Sequence, residues 1–498
     1  MVQFCILTRP RKGFQMIHHV CRPALFLTLC AGLAHGADPI ARSHVEISED
    51  GHVVANLSLA PVGQLGHSPV GSAAAEAPFG TVPDLTVNLR RQIGGLAIGD
   101  LDADGLNDLV AVCYISNSFP PYEDWHDMIF FNSPSGLETT PSWLSLEQTH
   151  TADVQIGDVT SDTLPDVVTI HGGGLRIDNV MVHFGLIGGG VRNAAEIIST
   201  TSPNAWGTSG KLVDMDNDGD LDLVTTNQGS GVNSPTRPMF MFRNNGFLEP
   251  ETSWQSNDLS ISNGLDARDI TGDGFPDLAV AKWVNYTSGI YYNTNGTPDT
   301  FQSLFVPGVD ADKGAAFTDL ESDGTPEFAI GGDPSTIFTT FHGGVFEVST
   351  TNPPFTGPQE VHFFDVDLDG DDDFGEVHFS DGRAHLYLNR DGVLDTDPAW
   401  TYDAPEVGTA MALGDLNNDG RPDLVIGYSG NTCIRVFYGQ AAECLADMTG
   451  DGVLDFFDIS AFLTAFSALD PIADFTDDGV WDFFDISAFL SAFGAGCP

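Results

Sequence analysis

Basic residues are scarce in this chain. Its 498 residues include 19 Lys and Arg against 70 Asp and Glu, a formal net charge of −51. A field of that sign repels phosphate backbones and anionic bilayers, which excludes nucleic acid and acidic membrane surfaces as partners. Long apolar runs are missing too: "ALFLTLCAGLA" (24–34) is too short to span a bilayer, no later run is long enough, and no transmembrane segment is expected. Common catalytic signatures are also absent. There is no His-Glu-x-x-His, no Gly-x-Ser-x-Gly and no Cys–His pairing at a known spacing. The 14 histidines are scattered and read as core or surface residues. What is present suffices for a core: 42% of the chain is hydrophobic, 34 residues are Phe, and the length suits two or three domains.

Cysteine is limited to seven residues, and the N-terminus bears on how many persist. Arg9, Arg11, Lys12 and Arg22 precede the apolar stretch, and "AHGAD" follows with Ala34 and Gly36 placed for cleavage before Ala37. Residues 1–36 therefore read as a secretory signal, with Met16 as an alternative start and a membrane anchor as the competing reading. Cys5, Cys21 and Cys30 leave with the signal. Cys113, Cys433, Cys444 and Cys497 remain, an even number in an oxidising compartment. Residues 37–80 form an N-terminal segment in which 44–60 reads as a hairpin outside the main domain, or as part of its closure.

The acids are not a tail. They sit one residue apart in seven short clusters, from "IGDLDADGLNDLVAV" (98–112) to "LGDLNNDGRPDLVIG" (413–427). Alternating oxygens in a tight loop are the ligand pattern of Ca²⁺, which takes six to eight oxygens in a flexible cage; Mg²⁺ demands stricter geometry. Loop one offers Asp100, Asp102, Asp104 and Asp108, with the Leu106 carbonyl at position 7. Loop two offers Asp158, Thr160, Asp162 and Asp166. Loop three has Asp214, Asp216, Asp218, Asp220 and Asp222, and loop four Asp269, Thr271, Asp273, Phe275 and Asp277. Loop five has Asp319, Glu321, Asp323 and Glu327. Loop six has Asp365, Asp367, Asp369, Asp371 and Asp373, and loop seven Asp415, Asn417, Asp419, Arg421 and Asp423. Six loops have Gly at position 6 to allow the sharp turn; loop two has Thr163. Loop two without its glycine and loop five with longer Glu arms are the two weaker sites.

An apolar, β-branched strand follows each loop, and the first aspartates recur at intervals of 46–58 residues. That period suits one four-stranded propeller blade per repeat. Residues 81–440 resemble the FG-GAP or VCBS repeats of integrin-α-like β-propellers. The resemblance implies a mainly β, seven-bladed propeller with a Ca²⁺ loop between the first two strands of each blade. Propellers often close by lending an N-terminal strand to the last blade, and "LTVNLRRQI" (85–93) is the candidate. Trp143, Trp254 and Trp400 recur at equivalent positions and read as blade packing ahead of sugar stacking.

A second repeat ends the chain. "DFFDISAFL" occurs at 455–463 and again at 482–490. Each copy closes a twelve-residue loop of EF-hand spacing. The first has Asp447, Thr449, Asp451, Val453, Asp455 and Asp458; the second has Asp474, Thr476, Asp478, Val480, Asp482 and Asp485. An amphipathic helix follows each, with Ile459, Phe462, Leu463 and Phe466 matched by Ile486, Phe489, Leu490 and Phe493. One such helix cannot bury its stripe alone, whereas two can pack together. Residues 444–498 resemble a type I dockerin, and more closely the dockerin-like modules that end secreted bacterial proteins in "GCP". The resemblance implies docking onto a cohesin-like partner. Loop positions 10 and 11, commonly small or polar in dockerins, are Phe456, Phe457, Phe483 and Phe484 here; one ring of each pair is expected in the core and the other at the surface. The ends of a two-fold loop–helix pair should meet, so a Cys444–Cys497 disulfide is expected. Cys113 and Cys433 fall in the first and seventh repeats, neighbours in a closed ring.

Three functions remain open. The first is a secreted, extracellular or surface-associated Ca²⁺ protein holding seven to nine ions, without catalysis, that binds a glycan or protein on its propeller and docks by its tail. The second is a dockerin-borne polysaccharide lyase or glycoside hydrolase, since a glycosidase needs only two carboxylates. The third is a structural adhesion component. The first is favoured because nearly half of the acids are spent as loop ligands. Its ligand loops are expected in the longest repeats, around 117–127 and 227–238.

Overall fold

The computed structural model describes residues 45–47, 53–55 and 77–495, apart from 115–124, 173–179, 198–204, 230–236, 284–286, 306–309, 325, 334–336, 343–344, 350–357, 380, 391, 441–445, 452 and 477–478. The signal assignment, the proposed disulfide and most of both expected ligand loops fall outside the described residues.

Each repeat folds as an antiparallel meander whose first two strands flank its acidic loop. In repeat one, Arg91–Gly99 and Asp108–Cys113 flank loop one, then His126–Phe130 and Trp143–Gln148 complete four strands. Repeats two to six form separate four-stranded sheets. Repeats one and seven share an eight-stranded sheet, joined where Ser429 and Gly430 pair with Gln92 and Arg91. Leu85–Val87 adds the last strand to repeat seven by pairing with Ile434–Phe437. The segment 85–93 is thus divided: its first three residues complete the last sheet, and Arg91 onward opens the first. Val45–Ile47 and Val53–Ala55 form a two-stranded hairpin.

The sequence explains the elements. The second strand of repeat one, like those of repeats two, four and six, is buried along its whole length. A strand covered on both faces needs apolar residues throughout, as "DLVAVC" and "DLAVAK" largely supply. In all seven repeats the first strand shifts register once as it pairs with the second, at sites such as Ile93/Gly95, Thr151/Asp153 and Gly408/Ala410. Such bulges raise the local twist.

The core is a series of clusters between successive sheets. Val110 and Val112 of repeat one meet Val154 and Val167 of repeat two. Comparable clusters join repeats two to three, three to four, four to five, five to six and six to seven. Leu109, Ala111, Cys113 and Met128 then join Ala410, Val425, Cys433 and Val436, so the first repeat packs on the seventh. The recurrent tryptophans serve this packing. Trp254 and Trp400 are buried, and Trp143 Nε1 donates to the Val191 carbonyl of the next repeat.

The C-terminal segment holds two helices, α1 (Phe456–Ala468) and α2 (Phe483–Ala495). Phe462 and Phe489, equivalent residues of the two copies, stack face to face with centroids 4.0 Å apart and planes 3° from parallel. Phe475 meets both edge-on, at 5.4 Å. Leu463 and Leu490, expected in the stripe, are instead half-exposed. The Phe pairs also depart from expectation: Phe456, Phe457, Phe483 and Phe484 are 74, 66, 72 and 66% exposed. Each pair starts its helix immediately after the N-terminal loop, where neither ring points at the stacked core.

No helix among the described residues is long and apolar enough to cross a membrane.

Candidate metal centres

All seven acidic loops of the repeats share one hydrogen-bond plan. The position-1 carboxylate accepts the N–H of position 6 with one oxygen, as in Gly105 to Asp100 (2.9 Å) and Gly420 to Asp415 (2.8 Å). The same bond recurs at Asp158, Asp214, Asp269, Asp319 and Asp365. The position-9 carboxylate accepts the N–H of position 2, as in Leu101 to Asp108 (2.9 Å) and Val366 to Asp373 (2.8 Å). Asp166, Asp222, Asp277, Glu327 and Asp423 repeat it. These bonds tie the loop's two ends into one turn with its side-chain oxygens directed inward.

The turn requires two left-handed residues. In loop three Asn217 has φ 59° and Gly219 φ 97°; in loop seven Asn418 has φ 59° and Gly420 φ 86°. Loop two makes the same turn without glycine, holding Thr163 at φ 70°. A β-branched residue there is strained. The missing glycine therefore raises the energy of loop two without changing its path.

The donor sets suit a hard cation. Carboxylate oxygens of Asp100, Asp102 and Asp108 lie within 4.8 Å of one another, as do those of Asp214, Asp216 and Asp218, and of Asp365, Asp367 and Asp373. Asp216 Oδ1 and Asp367 Oδ1 are buried with no hydrogen-bond partner, as expected of oxygens directed at a cation. Burial pushes the position-9 carboxyls up, to about 6 at Asp108, Asp222, Asp277 and Asp423 and about 7 at Asp373. A nearby divalent ion would reverse that penalty. Loops two, four and seven replace the position-3 acid by Thr160, Thr271 and Asn417, which remain oxygen donors.

Two loops differ. In loop three the Arg243 guanidinium contacts Asp216 and lies 3.6 Å from Asp222, so a fixed cation already faces this cage. In loop five, burial and then Glu321 raise the Glu327 carboxyl to about 8, and its Oε1 has no hydrogen-bond partner. The longer arm keeps the bond to Leu320 but misses the second acceptor role that aspartate plays elsewhere. In other repeats that role is clear: Asp108 Oδ1 accepts from Asn132 N–H at 2.7 Å, and Asp373 Oδ1 from Asn389 N–H at 2.7 Å.

Those asparagines were not singled out from sequence. Asn132, Asn244, Asn293 and Asn389 each lie two residues past the third strand of repeats one, three, four and six. Each side-chain amide donates to a position-2 carbonyl in the preceding repeat's loop. Asn293 reaches Met215 O at 2.8 Å, Asn389 reaches Leu320 O at 2.9 Å, and Asn244 reaches Val159 O at 3.3 Å. Asn132 reaches Leu416, which links repeat one to repeat seven. The signal was present in "FFN", "FRN", "YYN" and "YLN".

In the tail, Asp458 accepts the N–H groups of Thr449 (3.0 Å) and Asp455 (2.8 Å), and Asp485 does the same for Thr476 (3.1 Å) and Asp482 (2.8 Å). The Asp455 N–H, followed by Thr449, holds the Asp458 carboxyl below its usual range. Position 12 thus caps its helix while closing its loop. Asp478, in the second loop, is outside the described residues.

No curated protein matches the chain. The crystal structure of BBS1N in complex with ARL6DN, soaked with mercury, is similar at a TM-score of 0.49 and 11% identity, over 73% of this chain and 98% of that one. A family model described as the FG-GAP-like repeat matches residues 214–280 and 365–426, so repeats three and four, and six and seven, carry FG-GAP-like sequence.

Proposed function

We propose that this chain is a secreted, Ca²⁺-stabilised, non-catalytic binding protein: a seven-bladed propeller that takes a glycan or protein ligand, with a dockerin-like tail that attaches it to a cohesin-like partner. The observation that carries the reading is the single hydrogen-bond plan common to all seven loops, from Asp100 to Asp423. Evolution of one turn seven times, with carboxylate oxygens converging in loops one, three and six, is economical if the turns hold cations. The packing of repeat one on repeat seven and the strand Leu85–Val87 support closure into seven blades. For the tail, the two-fold Phe462–Phe489 stack supports the dockerin-like pairing. The exposed Phe456, Phe457, Phe483 and Phe484 supply an apolar docking surface. A Cys444–Cys497 bridge would close that small module, stabilising it by ~4 kcal/mol in the chain-entropy model.

The test uses the full secreted chain. Elemental analysis should find about seven to nine Ca²⁺ per chain. A glycan array and a pull-down from secreted proteins should each show Ca²⁺-dependent binding. Incubation with pectins, xylans, alginates and sulfated polysaccharides should yield no new reducing ends and no unsaturated products. Two Ca²⁺ or fewer, or turnover that is lost on mutating one carboxylate outside the loops, would overturn the proposal.

A further inference from the structure

Glu376 and His378 stand two residues apart in the strand Asp373–His378, so they share one face of the sixth sheet. His385, in Arg383–Tyr387, is the cross-strand partner of Glu376. His378 Nε2 and His385 Nδ1 each lie 3.2 Å from Glu376 Oε1. The Tyr387 hydroxyl, from the same face, donates to that oxygen at 3.4 Å. All three side chains are at most 2% exposed, and their donor atoms lie within 4.8 Å of one another.

The position is unusual within the repeat. Its equivalents, three residues after the position-9 acid, are Ala111, Thr169, Thr225, Val280, Ile330 and Ile426. Only the sixth repeat puts an acid there. Burying a carboxylate beside two imidazoles is costly unless the charge is neutralised. Packing does not require it, because the same face already buries Phe374 and Tyr387 against Ala316, Leu320 and Ala329 of repeat five.

The spacing suggests what neutralises it. In a tetrahedral zinc site with bonds of ~2.0–2.1 Å, adjacent donor atoms are ~3.3 Å apart. Both nitrogen–oxygen separations match that edge. Two imidazoles with one carboxylate suit Zn²⁺, whereas Ca²⁺ prefers oxygen alone.

We propose that Glu376, His378 and His385 bind one Zn²⁺ ion, a site separate in place and chemistry from the acidic loops. The Tyr387 hydroxyl oxygen or one enclosed water completes four ligands. Enclosure between the fifth and sixth sheets makes the site structural, since a catalytic zinc keeps a position open to substrate.

The full chain, made without a histidine tag and folded with Ca²⁺ and Zn²⁺, is dialysed against excess Ca²⁺ and its metals are measured. One Zn²⁺ per chain is expected to persist. Folding with Co²⁺ instead should give the intense visible bands of a tetrahedral site. H378Q and H385Q should each lose the Zn²⁺ and leave the Ca²⁺ content unchanged. Three results would overturn the proposal: no zinc above background in the wild type, zinc retained by the H378Q/H385Q double variant, or a weak octahedral Co²⁺ spectrum. The wild-type cobalt spectrum keeps the proposal testable if the variants do not fold.

Discussion

Asn293→Ala removes one of the amides that fasten successive repeats. The Asn293 side chain is buried, and its Nδ2 donates to Met215 O (2.8 Å) in repeat three and to Pro276 O (3.0 Å) in its own repeat. Its backbone N–H, bonded to Asp277 Oδ1 at 2.7 Å, is untouched by the substitution. Two hydrogen bonds are lost and two carbonyls lose a partner, one buried and the other half-buried. At ~1 kcal/mol per bond, with the penalty for stranded acceptors, the cost is about 2–4 kcal/mol. With an unfolding entropy of ~2.1 cal/mol/K per residue, a cooperative domain of ~360 residues loses about 3–5 °C in Tm. Asn293→Asp keeps the shape but points an acceptor at two carbonyls, so it should cost more than Ala. Differential scanning calorimetry at fixed Ca²⁺ reads both. If Asn293→Ala melts within 1 °C of wild type, or if Asp is milder than Ala, the staple is not a significant source of inter-repeat cohesion.

The remaining expectations are more local. Thr163→Gly relieves a left-handed threonine at φ 70°; relief of ~1–2 kcal/mol less the entropy glycine loses should stabilise by about 0.5–1 kcal/mol, measured as Tm against the wild type. Asp127 accepts from Cys113 N–H and Thr151 Oγ–H, and burial raises its carboxyl to about 7. Because the folded value lies above the unfolded one, its contribution to stability is full below about pH 4 and declines as pH rises to about 7. Asp127→Asn should therefore gain up to about 4 kcal/mol over wild type at pH 8 and nothing at pH 4, which urea unfolding at both pH values checks. Phe489→Ala breaks the stack on Phe462 and should cost ~3–5 kcal/mol, enough to unfold the tail while the repeats melt unchanged, which calorimetry checks. If the loops hold Ca²⁺ as proposed, chelation should lower the Tm of the repeats, because clustered carboxylates then repel without neutralisation; an unchanged Tm would argue against metal in the loops.

The sequence by itself determined the repeats, their period and the inward set of each acidic loop. Those features are local: an oxygen every second residue, a left-handed glycine and a buried apolar strand are all specified within about fifteen residues of chain. The doubled loop–helix was legible for the same reason, including Phe462 and Phe489 as core positions. Tertiary structure decided what depends on residues far apart in sequence. The division of 85–93 between the first and last sheets follows from closure, which no local pattern encodes. Phe456 and Phe457 read as half-core because hydrophobicity was their only visible property; the rotation of α1 around the Phe462–Phe489 stack leaves both outside. Asn132 and Leu416 are 284 residues apart and meet only once the first and seventh repeats are neighbours. Glu376, His378 and His385 looked like scattered polar residues until antiparallel pairing set His385 opposite Glu376 and burial removed the water that would otherwise have screened them.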